Sequence, residues 1–354
     1  MTRFIVPPYL LDHLAQAESP RLSRAPEAAR HGLRQLDEVR ALRSSAPPTR
    51  QGAVAREAAL ERTIADARGT EELPGETVRS EGEPPTDDVA VTEAYDALGA
   101  THALFLEVYG RSSIDGEGLP LDATVHYGLD YDNAFWNGER MVFGDGDGEV
   151  FRRFTASVSV VGHELAHGVT QYTTGLEYQG QSGALNESVS DVFGALVEQH
   201  LLGQAADEAS WLIGEGLFTD EVQGRALRSM AAPGTAYDDD VLGTDPQPAH
   251  MDDYVETTAD SGGVHLNSGI PNRAFHLVAL ALGGNAWERA GQVWYDAITS
   301  GDVSPTATFA EFAAVTVASA EARYGAGSEE ARATAEGWRG VGVAAAARTG
   351  RRSS

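Results

Sequence analysis

Near Ala156 the hydrophobic pattern of this chain passes from strand-like alternation to helical spacing, and that change commits it to two dissimilar lobes. From about Thr77 to Gly148 one helical run, Val89 to Tyr109, gives way to short alternating stretches. Ala123-Thr124-Val125-His126-Tyr127 and Arg140-Met141-Val142-Phe143 are two of them, separated by turns rich in Gly, Asp and Asn. Apolar side chains at every second position build half-buried strands, so this part reads as sheet and loops. From Ala156 onward, long Ala/Val/Leu runs at 184–201, 272–283, 286–299 and 307–324 read as helices. The expected fold is α+β, a β-rich N-terminal lobe followed by a helical lobe, with no internal repeat. A length of 354 residues leaves room for both lobes and a sizeable core.

Composition narrows the chemistry. There is no cysteine, so a disulfide framework, a thiolate metal site and a cysteine nucleophile are all excluded, and any metal must sit on His, Asp or Glu. All 26 basic side chains are arginine, which removes lysine chemistry as well. The net charge of −27 repels phosphate backbones and speaks against nucleic acid as a partner. That charge is uneven, about +3 over residues 1–50 and −30 over the remainder, so the two parts should attract each other.

Before the strand-rich region, residues 9–45 carry Leu and Ala at helical spacing. They lead into Ser44-Ser45-Ala46-Pro47-Pro48-Thr49-Arg50-Gln51-Gly52, the best linker candidate in the chain. The start, MTRFIVPPYLL, is too short and too broken by Pro7-Pro8 for a signal-peptide core. No stretch reaches the roughly 18 apolar residues of a membrane span. The expectation is a protein that does not enter a membrane, cytoplasmic or exported without a classical signal.

The segment with the sharpest chemical meaning is Val160-Val161-Gly162-His163-Glu164-Leu165-Ala166-His167-Gly168-Val169. On a helix His163 and His167 lie one turn apart on one face, so two imidazoles can share a metal with Glu164 beside them. A catalytic zinc needs three protein ligands and an open position. Twenty residues on, Glu187 and Asp191 stand at i and i+4 in Gly183-Ala184-Leu185-Asn186-Glu187-Ser188-Val189-Ser190-Asp191. They suit a third zinc ligand and an acceptor that orients a ligating imidazole, or simply an acidic exposed face. Spacing alone does not decide between them.

His163-Glu164-Leu165-Ala166-His167 followed by Asn186-Glu187-Ser188-Val189-Ser190-Asp191 resembles the thermolysin family of zinc endopeptidases, and the resemblance extends along most of residues 55–343. It implies zinc on His163, His167 and Glu187, with Glu164 as general base and Asp191 behind a ligand. Tyr178 corresponds to the family's active-site tyrosine, His265 in Gly262-Gly263-Val264-His265-Leu266-Asn267 to its catalytic histidine, and Asp260 to that histidine's orienting carboxylate. Asn133 and Ala134 in Asn133-Ala134-Phe135-Trp136 correspond to the substrate-aligning edge strand. Arg228 corresponds to the arginine expected to fork onto a substrate carbonyl with two donors. Phe151, Val160, Ile213, Leu217 and Leu227 are implied as the apolar pocket after the cut, which favours cleavage on the amino side of bulky apolar residues.

Pro7-Pro8-Tyr9-Leu10-Leu11 resembles the short propeptide of protealysin-like members. The implied organisation is a removable inhibitory propeptide over 1–52 and a β-rich catalytic lobe with the zinc helix over 53–175. A helical lobe over 176–343 and a disordered tail over 344–354 complete it. Processing is expected within Gln51–Leu60, with Val54 or Leu60 as new starts. The implied partners are peptide substrates, the propeptide itself and a small protein inhibitor, with the enzyme a monomer. Calcium is where this chain departs from the family. Ser159, Glu198, Ser210, Leu212 and Glu215 stand at the five double-site positions, and only two carboxylates cannot supply the six to eight oxygens calcium takes. Arg225 replaces a carboxylate at a further site, and Asp145 and Asp147 read as a turn rather than an EF-hand. No double calcium site is expected and a single one stays open. The competing reading is a catalytically silent zinc-binding protein, or one locked permanently by its propeptide.

Overall fold

The computed structural model describes residues 3–19, 21–42 and 59–346. The expected linker at 44–52, most of the Gln51–Leu60 processing interval and the end of the tail lie outside the described residues. The N-terminal part contains strand β1 (Arg3–Phe4), helix α1 (Pro8–Ala15) and helix α2 (Ala25–Leu42). Pro8 opens α1, where a missing N–H costs nothing and the ring presets φ. Leu10, Leu11 and Leu14 at helical spacing are all buried.

The first lobe holds β2 (Arg62–Asp66), β3 (Glu76–Ser80), β4 (Leu121–Val125), β5 (Ala134–Trp136) and β6 (Met141–Phe143). With β1 they form one six-stranded sheet in the order β1-β5-β6-β4-β2-β3. β1 runs antiparallel to β5, so the chain's own start is the edge strand of this sheet. Helix α3 (Val89–Ala103) covers the sheet. Asp88 starts it by accepting hydrogen bonds from the Ala90 and Val91 N–H groups, the expected role of an aspartate at a helix N-cap.

Two buried helices join the lobes, α4 (Val158–Tyr172) and α5 (Gly180–Leu202). Their crossing depends on two glycines. A Cβ on Gly194 would stand 2.4 Å from the Ser159 carbonyl oxygen, and one on Gly162 would stand 3.1 Å from the Gly194 Cα. With hydrogen at both positions the helix backbones close to contact, and α5 presents Glu187 and Asp191 to His163 and His167. Beyond α5 a short antiparallel pair, β7 (Leu212–Ile213) with β8 (Arg228–Ser229), is followed by α6 (Asp260–Asn267) and α7 (Gly269–Leu282). The chain ends in α8 (Ala290–Thr299), α9 (Phe309–Tyr324) and α10 (Glu329–Gly340). A reciprocal capping box between Thr308 and Glu311 sets the start of α9. One contiguous apolar core runs from the N-terminal part through both lobes. No helix among the described residues is long and apolar enough to cross a membrane.

Candidate active site

Helix geometry brings His163 and His167 to one face of α4, and the close approach of α5 places Glu187 opposite them. All three side chains are fully buried. His163 Nε2 lies 3.5 Å from Glu187 Oε2, and His167 Nε2 lies 3.4 Å from Glu187 Oε1. One ligand atom from each residue falls within 4.8 Å of the others. The outer nitrogens are already engaged. His163 Nδ1 meets Asp191 Oδ1 at 2.7 Å, and His167 Nδ1 meets Asn186 Oδ1 and Ser190 Oγ, each at 2.8 Å. A proton on each Nδ1 leaves the Nε2 lone pairs directed at the common centre. His163 Nε2 and Glu187 Oε2 are buried with no hydrogen-bond partner among the described residues. Two imidazoles and a carboxylate around such a point match the donor set of a catalytic zinc.

Asp191 is the hub behind the cluster. It takes His163 on one side, Arg228 Nη2 at 2.9 Å and Nε at 3.0 Å on the other, and Asn272 Nδ2 at 2.8 Å. Burial disfavours its charge, yet the Arg228 charge and the hydrogen bonds from His163 and Arg228 hold the carboxyl well below the usual range. Arg228 is fully buried too, and Asp191 holds it above the ordinary arginine range against that burial. The two-pronged grip expected on a substrate carbonyl is therefore found on Asp191. A buried guanidinium needs its counter-charge close, which leaves only Nη1 for a peptide.

His265 stands on the far side, buried, with Nδ1 2.7 Å from Asp260 Oδ1. Asp260 Oδ2 also accepts the His265 backbone N–H at 2.8 Å. To reach both, Asp260 and Ser261 adopt positive φ of 49° and 51°, a strained conformation of the kind that gathers at functional sites. Burial would depress the imidazole, but the Asp260 and Glu187 charges outweigh it and hold His265 at about 9. The Tyr178 hydroxyl lies 3.2 Å from His265 Nε2 and donates a hydrogen bond to Glu187 Oε1. Glu164 is buried beside the cluster and its Oε2 accepts the Trp136 N–H at 3.1 Å. Phe151, Val160, Ile213, Leu217 and Leu227 are all fully buried apolar side chains.

The groove beside these groups holds the chain's own residues 4–6. The Ile5 N–H donates to the Ala134 carbonyl at 3.2 Å and the Val6 N–H to Asn133 Oδ1 at 3.1 Å. The Ile5 carbonyl accepts from Arg228 Nη1 at 3.0 Å, and the Phe4 carbonyl lies 3.1 Å from His265 Nε2. Leu10 is buried, Pro7 is buried and Pro8 and Tyr9 are half-buried, so the Pro7–Leu10 motif packs down immediately after the groove.

Three features escaped sequence reasoning. Asn186 and Ser190 on His167, and Asn272 on Asp191, carry no spacing signal of their own. Glu149 is the third. Its carboxylate accepts the N–H groups of Ser23, Arg24 and Ala25 at 2.9, 2.8 and 3.1 Å and the Ser23 hydroxyl at 2.6 Å, capping α2 from another part of the fold. Arg24 also pairs with Asp130 and Arg21 with Asp240, at 3.3 and 3.2 Å. The opposite charges of the two parts thus meet, although exposed pairs of this kind contribute little each.

Residues 56–171 match the family described as thermolysin metallopeptidase, catalytic domain, and residues 174–343 match the thermolysin metallopeptidase, alpha-helical domain. An extracellular metalloprotease of Pectobacterium carotovorum subsp. carotovorum is 49% identical over 341 residues, which cover 96% of each chain. A thermolysin of Alicyclobacillus acidocaldarius subsp. acidocaldarius is 40% identical over 263 residues, 72% of this chain and 46% of that longer one. The solved structure described as the precursor of protealysin, a metalloproteinase from Serratia proteamaculans, superposes with a TM-score of 0.87. It is 51% identical, and the match covers 97% of this chain and all of that one. A buried His-His-Glu cluster between a strand-rich and a helical lobe, matched along nearly its whole length by such a precursor, makes this chain a zinc metalloendopeptidase of the thermolysin-like family, in its protealysin-like branch.

Proposed function

We propose that the chain is a precursor whose residues 1–52 inhibit a neutral endopeptidase formed by a 53–175 lobe and a 176–343 lobe, and that the enzyme removes this segment itself. The observation that carries this reading is a peptide segment lying along β5 beside the His163–His167–Glu187 cluster, with its carbonyls against His265 and Arg228. His163, His167 and Glu187 would hold zinc, which supplies Lewis-acid polarisation and makes a nearby water acidic at neutral pH. Glu164 takes a proton from the attacking water and passes it to the leaving amine. His265, kept charged by Asp260, donates to the carbonyl oxygen as negative charge develops there, and Tyr178 donates beside it. Asn133 and Ala134 align the substrate as an added strand, and Arg228 holds the next carbonyl.

The apolar side chains of Phe151, Val160, Ile213, Leu217 and Leu227 favour cleavage on the amino side of bulky apolar residues such as Leu, Phe or Val. Sequencing the products of a peptide library digested by the processed enzyme tests this. A preference for a charged residue after the cut would overturn it. We expect no double calcium site, since Ser159 Oγ is engaged by the Gly214 N–H and burial with the Glu215 charge pushes Glu198 up to about 7. The relatives' names support export as the setting of its activity. The locked-precursor alternative draws on the same occupied groove. It would prevail if zinc-loaded protein stayed full length and left casein intact with or without a chelator.

Glu149 is the group expected to govern how long the segment stays after the linker is cut. Burial opposes its charge, but the Ser23, Ala25 and Arg24 hydrogen bonds hold the carboxyl down to about 2. A carboxyl depressed on docking contributes above its free value near 4.5 and loses that contribution as pH falls toward 2. Arg24 Nε lies 3.6 Å from the same carboxylate. Glu149→Gln should speed release up to roughly tenfold at neutral pH and flatten the acid dependence, as measured by size-exclusion time courses of the nicked protein.

A further inference from the structure

We propose that the Phe4–Ile5 peptide bond is itself seated as a substrate and is hydrolysed by the enzyme that contains it, giving a latent form that begins at Ile5. This rests on the endopeptidase reading above and goes beyond it, because the segment's inhibitory role requires only that the groove be filled.

The register carries the argument. Of the carbonyls in the groove, Phe4's is the one against His265 Nε2, at 3.1 Å, and that nitrogen lies 3.6 Å from Glu187 Oε2 of the metal-ligand cluster. The Phe4 carbonyl therefore occupies the place of the carbonyl under attack. The next three contacts follow in the order a substrate would make them. The Ile5 N–H meets the Ala134 carbonyl and the Ile5 carbonyl meets Arg228, after which the Val6 N–H meets Asn133. β1 is antiparallel to β5, so the chain runs in one direction through all four contacts. The residue after the bond is Ile5, apolar, bulky and fully buried, as the specificity expectation demands. Glu164, the proposed base, is fixed to the Trp136 N–H directly across the ladder from Arg3.

Hydrolysis consumes one water. Its oxygen bonds to the Phe4 carbonyl carbon, the bond from that carbon to the Ile5 nitrogen breaks, and both water protons end on that nitrogen. The products are a Phe4 carboxylate and an Ile5 ammonium, with no change in oxidation state. The cut would not open the groove. Ile5 and Val6 stay fastened to Ala134, Asn133 and Arg228, and the buried Leu10, Leu11 and Leu14 of α1 anchor the stretch that follows. Latency then outlasts the cut and ends only once the linker is cleaved and the segment has left.

Full-length wild type and Glu164→Gln, both supplied with zinc, are compared by intact mass and N-terminal sequencing before any linker cleavage. The expected result is loss of everything up to Phe4 from wild type and not from the variant. Amide exchange in zinc-free Glu164→Gln reads the seating without turnover. Ile5 and Val6 should be protected, and Asn133→Ala should release Val6. Free exchange at both amides overturns the proposal. So does a wild-type precursor that keeps Phe4 joined to Ile5 although its processed form cleaves casein, an outcome that leaves the endopeptidase reading standing. Casein left intact by processed, zinc-loaded enzyme would fail that reading and this proposal with it.

Discussion

Glu164→Gln is expected to lower casein hydrolysis by about 10²–10⁴-fold while leaving the fold and zinc binding intact. The variant is close to isosteric. The side chain is fully buried and one of its oxygens accepts the Trp136 N–H, a contact that a glutamine oxygen can preserve. Glu164 is also absent from the His163–His167–Glu187 cluster, so the metal donors are untouched. What is lost is a group able to take a proton from water and return it to a departing amine. Thermal stability should not fall, because a neutral amide is less costly to bury than a carboxylate. Processing of the precursor should stop with it, leaving a full-length chain on a gel when wild type is trimmed. Casein activity within tenfold of wild type would assign the base to another residue.

How far the site could be read from sequence depended on how local each part was. His163, Glu164 and His167 are separated by helix geometry alone, so their spacing announces a shared face. Glu187 and Asp191 remained ambiguous because their approach depends on the α4–α5 crossing, and that crossing depends on Gly162 and Gly194, which carry no chemical signal. Arg228 was legible as a site residue, but its division between Asp191 and a peptide carbonyl was not, since the need for a counter-charge arises only once both are buried. The main helices emerged from their apolar runs. β2 did not stand out, being short and bulged at Ile64/Ala65, and neither did α10, whose buried face is mostly small residues, Ala331, Ala333, Thr334 and Gly337, with Trp338 its one large apolar side chain. The seating of Phe4 and Ile5 was invisible for a related reason. β1 is two residues long, too short to show any alternation, and its register is set by contacts more than a hundred positions away.

The second large effect is expected at Asp191, where one carboxylate serves both the metal centre and the peptide groove. Asp191→Ala would strip the counter-charge from Arg228, which is fully buried, and removing one member of such a pair costs about 3–5 kcal/mol. It would also free His163 Nδ1 from its acceptor, and loss of such an outer partner lowers metal affinity by about 10–100-fold. Asp191→Asn separates the two roles. An amide oxygen can still accept from His163, so zinc affinity should fall less, whereas Arg228 loses its counter-ion in both variants. Denaturant melts of the zinc-free proteins read the Arg228 contribution, and zinc titration against a competing chelator reads the His163 contribution. If Asp191 acts as argued, the two variants should both be destabilised but differ clearly in zinc affinity. Equal zinc affinities in Asp191→Ala and wild type would remove Asp191 from the metal centre and leave it only as the partner of Arg228. The shared hub also predicts that Arg228 cannot be replaced independently. Removing it leaves Asp191 buried beside His163 with one charge-bearing neighbour fewer, so loss of peptide binding should come with weakened stability.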